Sequence, residues 1–84
     1  MSDTENQIDA FRKSSKHQRM GCLVATLSVV HDSYKEAVTQ QEKNFCNMIT
    51  TRINGMLDLL KNNKEEELMR LYVELVEFFK QIQG

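Results

Sequence analysis

The stretch "TQQE", residues 39–42, decides the fold. It lies in the middle of an apolar stripe. If the helix runs through it, the chain has one very long helix; if it starts a new helix, the chain closes on itself. Thr-x-x-Glu is a capping-box pattern: the hydroxyl accepts from a first-turn backbone N–H and the carboxylate reaches back. The same spacing also recurs inside helices, as in "SYKE" from residue 33.

Outward from that point the apolar residues are Met20, Leu23, Leu27, Val30, Tyr34, Val38, Phe45, Met48, Ile53, Met56 and Leu60. Nearly every step is three, four or seven residues, which places them on one helical stripe with a mean period near 3.6. Val24, His31, Ile49 and Leu57 widen it on one side. No Gly, Pro, Asn or Asp lies near residue 39, and those are the usual turn residues. The pattern therefore predicts an unbroken helix over residues 20–61.

A stop follows at "KNNKEEE", residues 61–67. Asn62 is a helix-ending residue, and Asn63 with Glu66 three positions on is the expected N-cap of a second helix. Glu65, Glu66 and Glu67 in its first turn favour the helix dipole. Leu68, Leu71, Tyr72, Leu75, Phe79 and Ile82 give that helix, over residues 64–82, its apolar face. At about 1.5 Å per residue the first helix is roughly 60 Å long and the second roughly 28 Å. Folded back as a hairpin, the short helix covers half of the long one, and an apolar strip of the remaining size is not left bare in a monomer. The expected fold is all-α: a long helix plus a shorter C-terminal helix folded back as a helical hairpin, dimerising into a helical bundle. The alternative, with a break at Thr39, is a monomeric three-helix bundle over residues 20–38, 40–61 and 64–82.

The expected core and oligomer interface is Leu23, Leu27, Val30, Tyr34, Val38, Phe45, Met48, Met56, Leu60, Leu71, Leu75 and Phe79. Arg52 falls inside the stripe, where a charge either snorkels or pairs with an acid such as Glu42 or Glu74. The run from Cys22 to Val30 carries no charge and follows the basic "RKSSKHQR" of residues 12–19. That order resembles a secretory signal. The run is nevertheless far short of the roughly 20 residues that span a bilayer, and the start "MSDTENQID" is acidic. No membrane partner is expected.

The stripe does not continue backwards: Ile8 and Phe11 project to another side. Residues 1–18 are expected as an acidic tip and basic segment, a frayed helix or a disordered arm, and residues 19–84 as the helical oligomerisation domain. Arg12, Lys13, Lys16 and Arg19, extended by Lys35, Lys43 and Arg52, are the candidate nucleic-acid contacts, and duplex RNA read by shape and phosphates is the target they suit. Net charge is −1, which argues against strong general polyanion binding. Ser14 and Ser15, after Arg12 and Lys13, are candidate phosphorylation sites.

Catalysis and metal binding find no constellation. Cys22, Cys46, His17 and His31 show no zinc-site spacing, and no glycine loop cradles a phosphate. Neither an enzyme nor a cofactor is expected. Two cysteines suit a reducing compartment, hence a cytoplasmic setting. The reading is a small helical adaptor or regulator that acts by self-association as a homodimer and by contact with a protein partner; the alternative is a nucleic-acid-binding helical dimer.

Residues 39–60, "TQQEKNFCNMITTRINGMLDLL", resemble the first helix of the Rop family, small RNA-binding helical-hairpin dimers. The matching residues are Thr39, Gln41, Glu42, Lys43, Asn47, Met48, Leu57, Leu59 and Leu60. The resemblance implies a hairpin, a dimer and RNA as ligand. Of the family's RNA-contacting face only Asn47 is present; Thr51 and Gly55 stand where an aromatic and a glutamine belong, and the first 38 residues have no counterpart. No site residue transfers.

Overall fold

A computed structural model describes residues 3–83. It is all-helical: among the described residues there are four helices and no strand, α1 Asp3–Lys13, α2 Lys16–Glu36, α3 Gln40–Lys61 and α4 Glu65–Gln83. The expected long helix is therefore corrected to two, α2 and α3, and the expected frayed or disordered arm contributes a further helix; its first two residues lie outside the described range.

The break after α2 follows the capping chemistry at residues 39–42. Thr39 is extended (φ −98°, ψ 154°) and its hydroxyl accepts from the Glu42 N–H at 3.1 Å. The Glu42 carboxylate accepts from the Val38 N–H at 3.1 Å, and the Ala37 N–H closes α2 on the Tyr34 carbonyl at 3.2 Å. The connection needs no glycine because its backbone stays at negative φ; Ala37 sits at φ −65°, ψ 132°. Absence of turn residues is thus no bar to a turn built from extended residues and a cap.

Asn63 has a different role from the one its sequence context suggests. It is the one described non-glycine residue with positive φ, 59°. Its N–H reaches the Leu60 carbonyl (3.2 Å) and the Lys64 N–H reaches that of Leu59 (2.9 Å). That pair of bonds is a Schellman motif with asparagine at the left-handed position. Asn63 ends α3 rather than starting α4, which begins at Glu65.

Ser15 starts α2 with a complete capping box. Its hydroxyl accepts from the Gln18 N–H (3.1 Å), and its own N–H donates to Gln18 Oε1 (2.9 Å). The turn between α1 and α2 is only two residues long, so α1 is folded back at once. Its anchor is Phe11, buried and stacked on Tyr72 of α4 with ring centroids 3.8 Å apart.

The chain runs down and up in alternation: α3 packs between α2 and α4, and α1 lies on α4. The ends meet accordingly. Arg19 at the start of α2 reaches Glu65 at the start of α4, while Phe45 near the start of α3 stacks on Phe78 near the end of α4 at 5.5 Å. The shape is a slab, 37 × 30 × 18 Å in Cα extents. Leu23, Ile49, Ile53, Met56 and Leu68 are its most deeply buried large side chains.

One charged side chain, Arg19, is buried among the described residues. Its Nε donates to the Phe11 carbonyl (2.9 Å), which also accepts from the Ser14 N–H, and its Nη2 to the Arg12 carbonyl (2.6 Å), an acceptor in the last turn of α1. The guanidinium also makes a forked pair with Glu65, one arm at 2.9 Å, and lies 5.2 Å from the Phe11 ring centroid. One side chain thus joins α1, α2 and α4.

Candidate protein-interaction surface

The uncharged run of residues 22–30 lies on α2, at one edge of the slab. A helix apolar on all sides belongs inside a protein, yet α2 buries only Leu23 and Val30 of its apolar residues. Leu27 is half-buried against them. Met20 is 40 % exposed, Val24 49 % and Tyr34 39 %. Val24, Leu27, Ser28 and His31, with Thr50 of α3, line a shallow groove of about 390 Å³. The solvent-facing side of α2 is therefore uncharged from residue 20 to residue 30, with charged residues at both ends of the helix.

A second open depression, about 590 Å³, lies at the end of the slab where the α2–α3 turn meets the end of α4. Phe45, Cys46, Phe78 and Ile82 supply its apolar lining, and Glu42 and Thr39 its rim.

The expected core set divides on the structure. Leu23, Val30, Met56, Leu60 and Leu75 are buried. Leu27, Phe45, Met48, Leu71 and Phe79 are half-buried against that core. Tyr34 and Val38 are not core: Tyr34 stands at the exposed end of α2, and Val38, in the turn, is 86 % exposed because the helix stops before it. Val24 and His31, read as the margin of the stripe, lie on the open face, and Leu23 and Val30 lie inside. Phe11 completes the core from a segment that periodicity alone did not join to it; the signal that locates it is Ser-x-x-Gln at residues 15–18, which marks a helix start and hence a fold-back.

The candidate nucleic-acid contacts do not form one surface. Arg19 is buried and committed to α1 and Glu65. Arg12 pairs with Asp9 at 3.1 Å, and Lys16 donates to Asn63 Oδ1 at 3.2 Å. Lys16 and Lys35 lie at opposite ends of α2, about 28 Å apart along its axis. Lys43 is near the start of α3. Arg52 sits across from Glu74 at 3.8 Å, the intrachain version of a pairing its position suggested.

Glu65 is held below the ordinary carboxylate value by the hydrogen bonds from Arg19, which outweigh the opposing effect of burial; the charges of Arg19 and Arg12 add less. Burial raises Tyr72 above the usual phenol value, partly offset by a hydrogen bond with Gln7. Both groups lie where α1, α2 and α4 meet. Among the described residues no cluster of three His, Cys, Asp or Glu is placed to hold a metal. Cys22 is exposed on α2 and Cys46 is buried in α3. No described helix is long and apolar enough to cross a membrane. Scans against protein-family models, curated proteins and solved structures return no match.

Proposed function

We propose that this chain is a small non-enzymatic helical protein that acts by self-association and protein–protein contact, as an adaptor or regulator, with the outer face of α2 as its contact surface. The observation that carries this reading is the open apolar face of α2, where Met20, Val24 and Tyr34 stay exposed beside an uncharged run. Contiguous exposed apolar surface of this kind marks interaction sites in soluble proteins. A chain of 84 residues also has a thin stability margin, to which association adds. Two thiols without a bridge suit a reducing compartment, so the cytoplasm is the setting proposed.

Duplex RNA is the weaker reading, because the burial of Arg19 and the spread of Lys16, Lys35 and Lys43 leave no continuous phosphate-binding strip. Light scattering with and without a short RNA duplex tests both. A two-chain mass unchanged by RNA is expected. A one-chain mass at every concentration up to about 0.1 mM would refute self-association, and a salt-sensitive gain of mass with the duplex would replace this reading with the nucleic-acid one.

A further inference from the structure

On the reading that the chain self-associates, we infer that the partner on α2 is the α2 of a second copy, packed antiparallel about a two-fold axis near the middle of the helix. Along one flank of α2 the row Met20, Val24, Leu27, His31 and Tyr34 recurs with steps of four, three, four and three; all are exposed but Leu27, which is half-buried, and the exposed Val29 lies off the row. That is the spacing of a coiled-coil seam, which a second helix fills. The row turned inward, Leu23 and Val30, is the neighbouring one. The groove beside Val24, Leu27 and His31 receives the side chains of the facing helix.

Gly21 is the second observation. Glycine inside a helix is less favourable than alanine, and nothing within this chain requires it. A Cβ built there meets no atom within 4 Å, and its φ is not positive. Its place flanks the seam on the same side as Ser28, one heptad on. In an antiparallel pair the two flanks of one side face each other, so Gly21 comes beside Ser28 of the second copy, and two small residues let the backbones approach.

Charge decides the direction. The start of α2 carries Lys16 and His17, next to Lys13, while its end carries Asp32 and Glu36 with Lys35. Parallel copies would bring the basic ends together and set His31 against His31. Antiparallel copies bring each basic end to the partner's acid-bearing end and oppose the helix dipoles. An overlap one residue short of the full helix Lys16–Glu36 sets Val24 against Leu27, and Met20 against His31, of the second copy.

The test uses disulfide capture in a Cys22→Ser background, Cys46 being buried. Met20→Cys and His31→Cys are made separately and oxidised alone and mixed, with the mass of the background protein measured by light scattering. Antiparallel packing predicts a bridge only in the mixture, because like positions then lie about 16 Å apart along the axis and a disulfide spans at most about 7 Å between Cα atoms. Gly21→Leu is expected to weaken the dimer at least roughly tenfold. Bridges in each variant alone, or a two-chain mass with no bridge anywhere, would overturn the antiparallel α2 pairing while self-association stands. A one-chain mass would overturn both.

Discussion

Replacing Arg19 by methionine tests the junction that holds α1 in the fold. Methionine keeps most of the packing of the stem and removes the guanidinium. The carbonyls of Phe11 and Arg12 at the end of α1 then lose their bonds from the guanidinium, that of Phe11 keeping the one from the Ser14 N–H. Hydrogen bonds from a charged donor contribute about 1.5–3 kcal/mol each, but the carbonyls lie at a turn and partly rehydrate, so the lower end applies to both. The Glu65 carboxylate is 57 % exposed and returns to water, so its share is at most about 1 kcal/mol. Loss of the guanidinium from the Phe11 ring adds about 0.5 kcal/mol. The expected destabilisation is about 3–4 kcal/mol, large against the roughly 4–13 kcal/mol that a chain of this length commands. Thermal melts followed by circular dichroism at fixed protein concentration should show Tm falling by about 12–30 °C. The single change Glu65→Gln should lower it much less, since most of the effect lies in the carbonyl bonds. A melt of Arg19→Met within about 2 °C of the parent protein would refute the assignment of Arg19 as the cap of α1.

Three further outcomes follow from the same geometry. Thr39→Ala removes the acceptor for the Glu42 N–H and should destabilise by about 1 kcal/mol in a urea titration; no change would mean that α2 and α3 are not separated by this cap. Met56→Ala empties a site with no exposure and should cost about 2–5 kcal/mol, whereas Val38→Ser, in the exposed turn, should change stability by less than about 0.5 kcal/mol. Acid should loosen the junction: Glu65 is lowered in the fold, so its stabilising effect is full above its ordinary value of 4.5 and is lost as pH falls below it. The Glu65→Gln protein should therefore show a shallower loss of stability between about pH 5 and pH 3 than the parent protein.

Much of this fold is visible in the sequence, and the failures have physical causes. The helices after residue 39 follow from periodicity and from the stop at "KNN", because amphipathic spacing and end chemistry agree there. The break at Thr39 is visible as a capping box, but periodicity runs straight through it: a turn of three residues shifts the phase little, and an extended turn at negative φ needs no glycine. Asn63 fits both an N-cap and a left-handed C-terminal position, and only the bonds from Lys64 and Asn63 to the carbonyls of Leu59 and Leu60 decide between them. Phe11 and Arg19 escape detection because their burial depends on a two-residue fold-back that brings α1 onto α4. A search for stripes misses it, while the Ser15–Gln18 box announces it. The proposed contact surface is legible only in part. Apolar residues surround α2 from residue 20 to residue 30, and no pattern in one chain says which of them face inward. Leu23 and Val30 proved inward, Val24 outward. The basic residues mislead for a related reason, since sequence proximity grouped Arg19 with Lys16 although the fold buries the one and leaves the other at the surface.

The central claim is that the outer face of α2 is a contact surface for a second copy. The measurement that tests it most directly is sedimentation velocity of the parent protein beside Val24→Asp over a wide concentration range. Val24 is half-exposed in the single chain, so the aspartate leaves the fold intact, as a circular dichroism spectrum unchanged from the parent's would show. The account predicts a two-chain species for the parent at high concentration and a one-chain species for the variant throughout. A parent protein that sediments as one chain at every concentration, or a variant that associates as well as the parent, would contradict it.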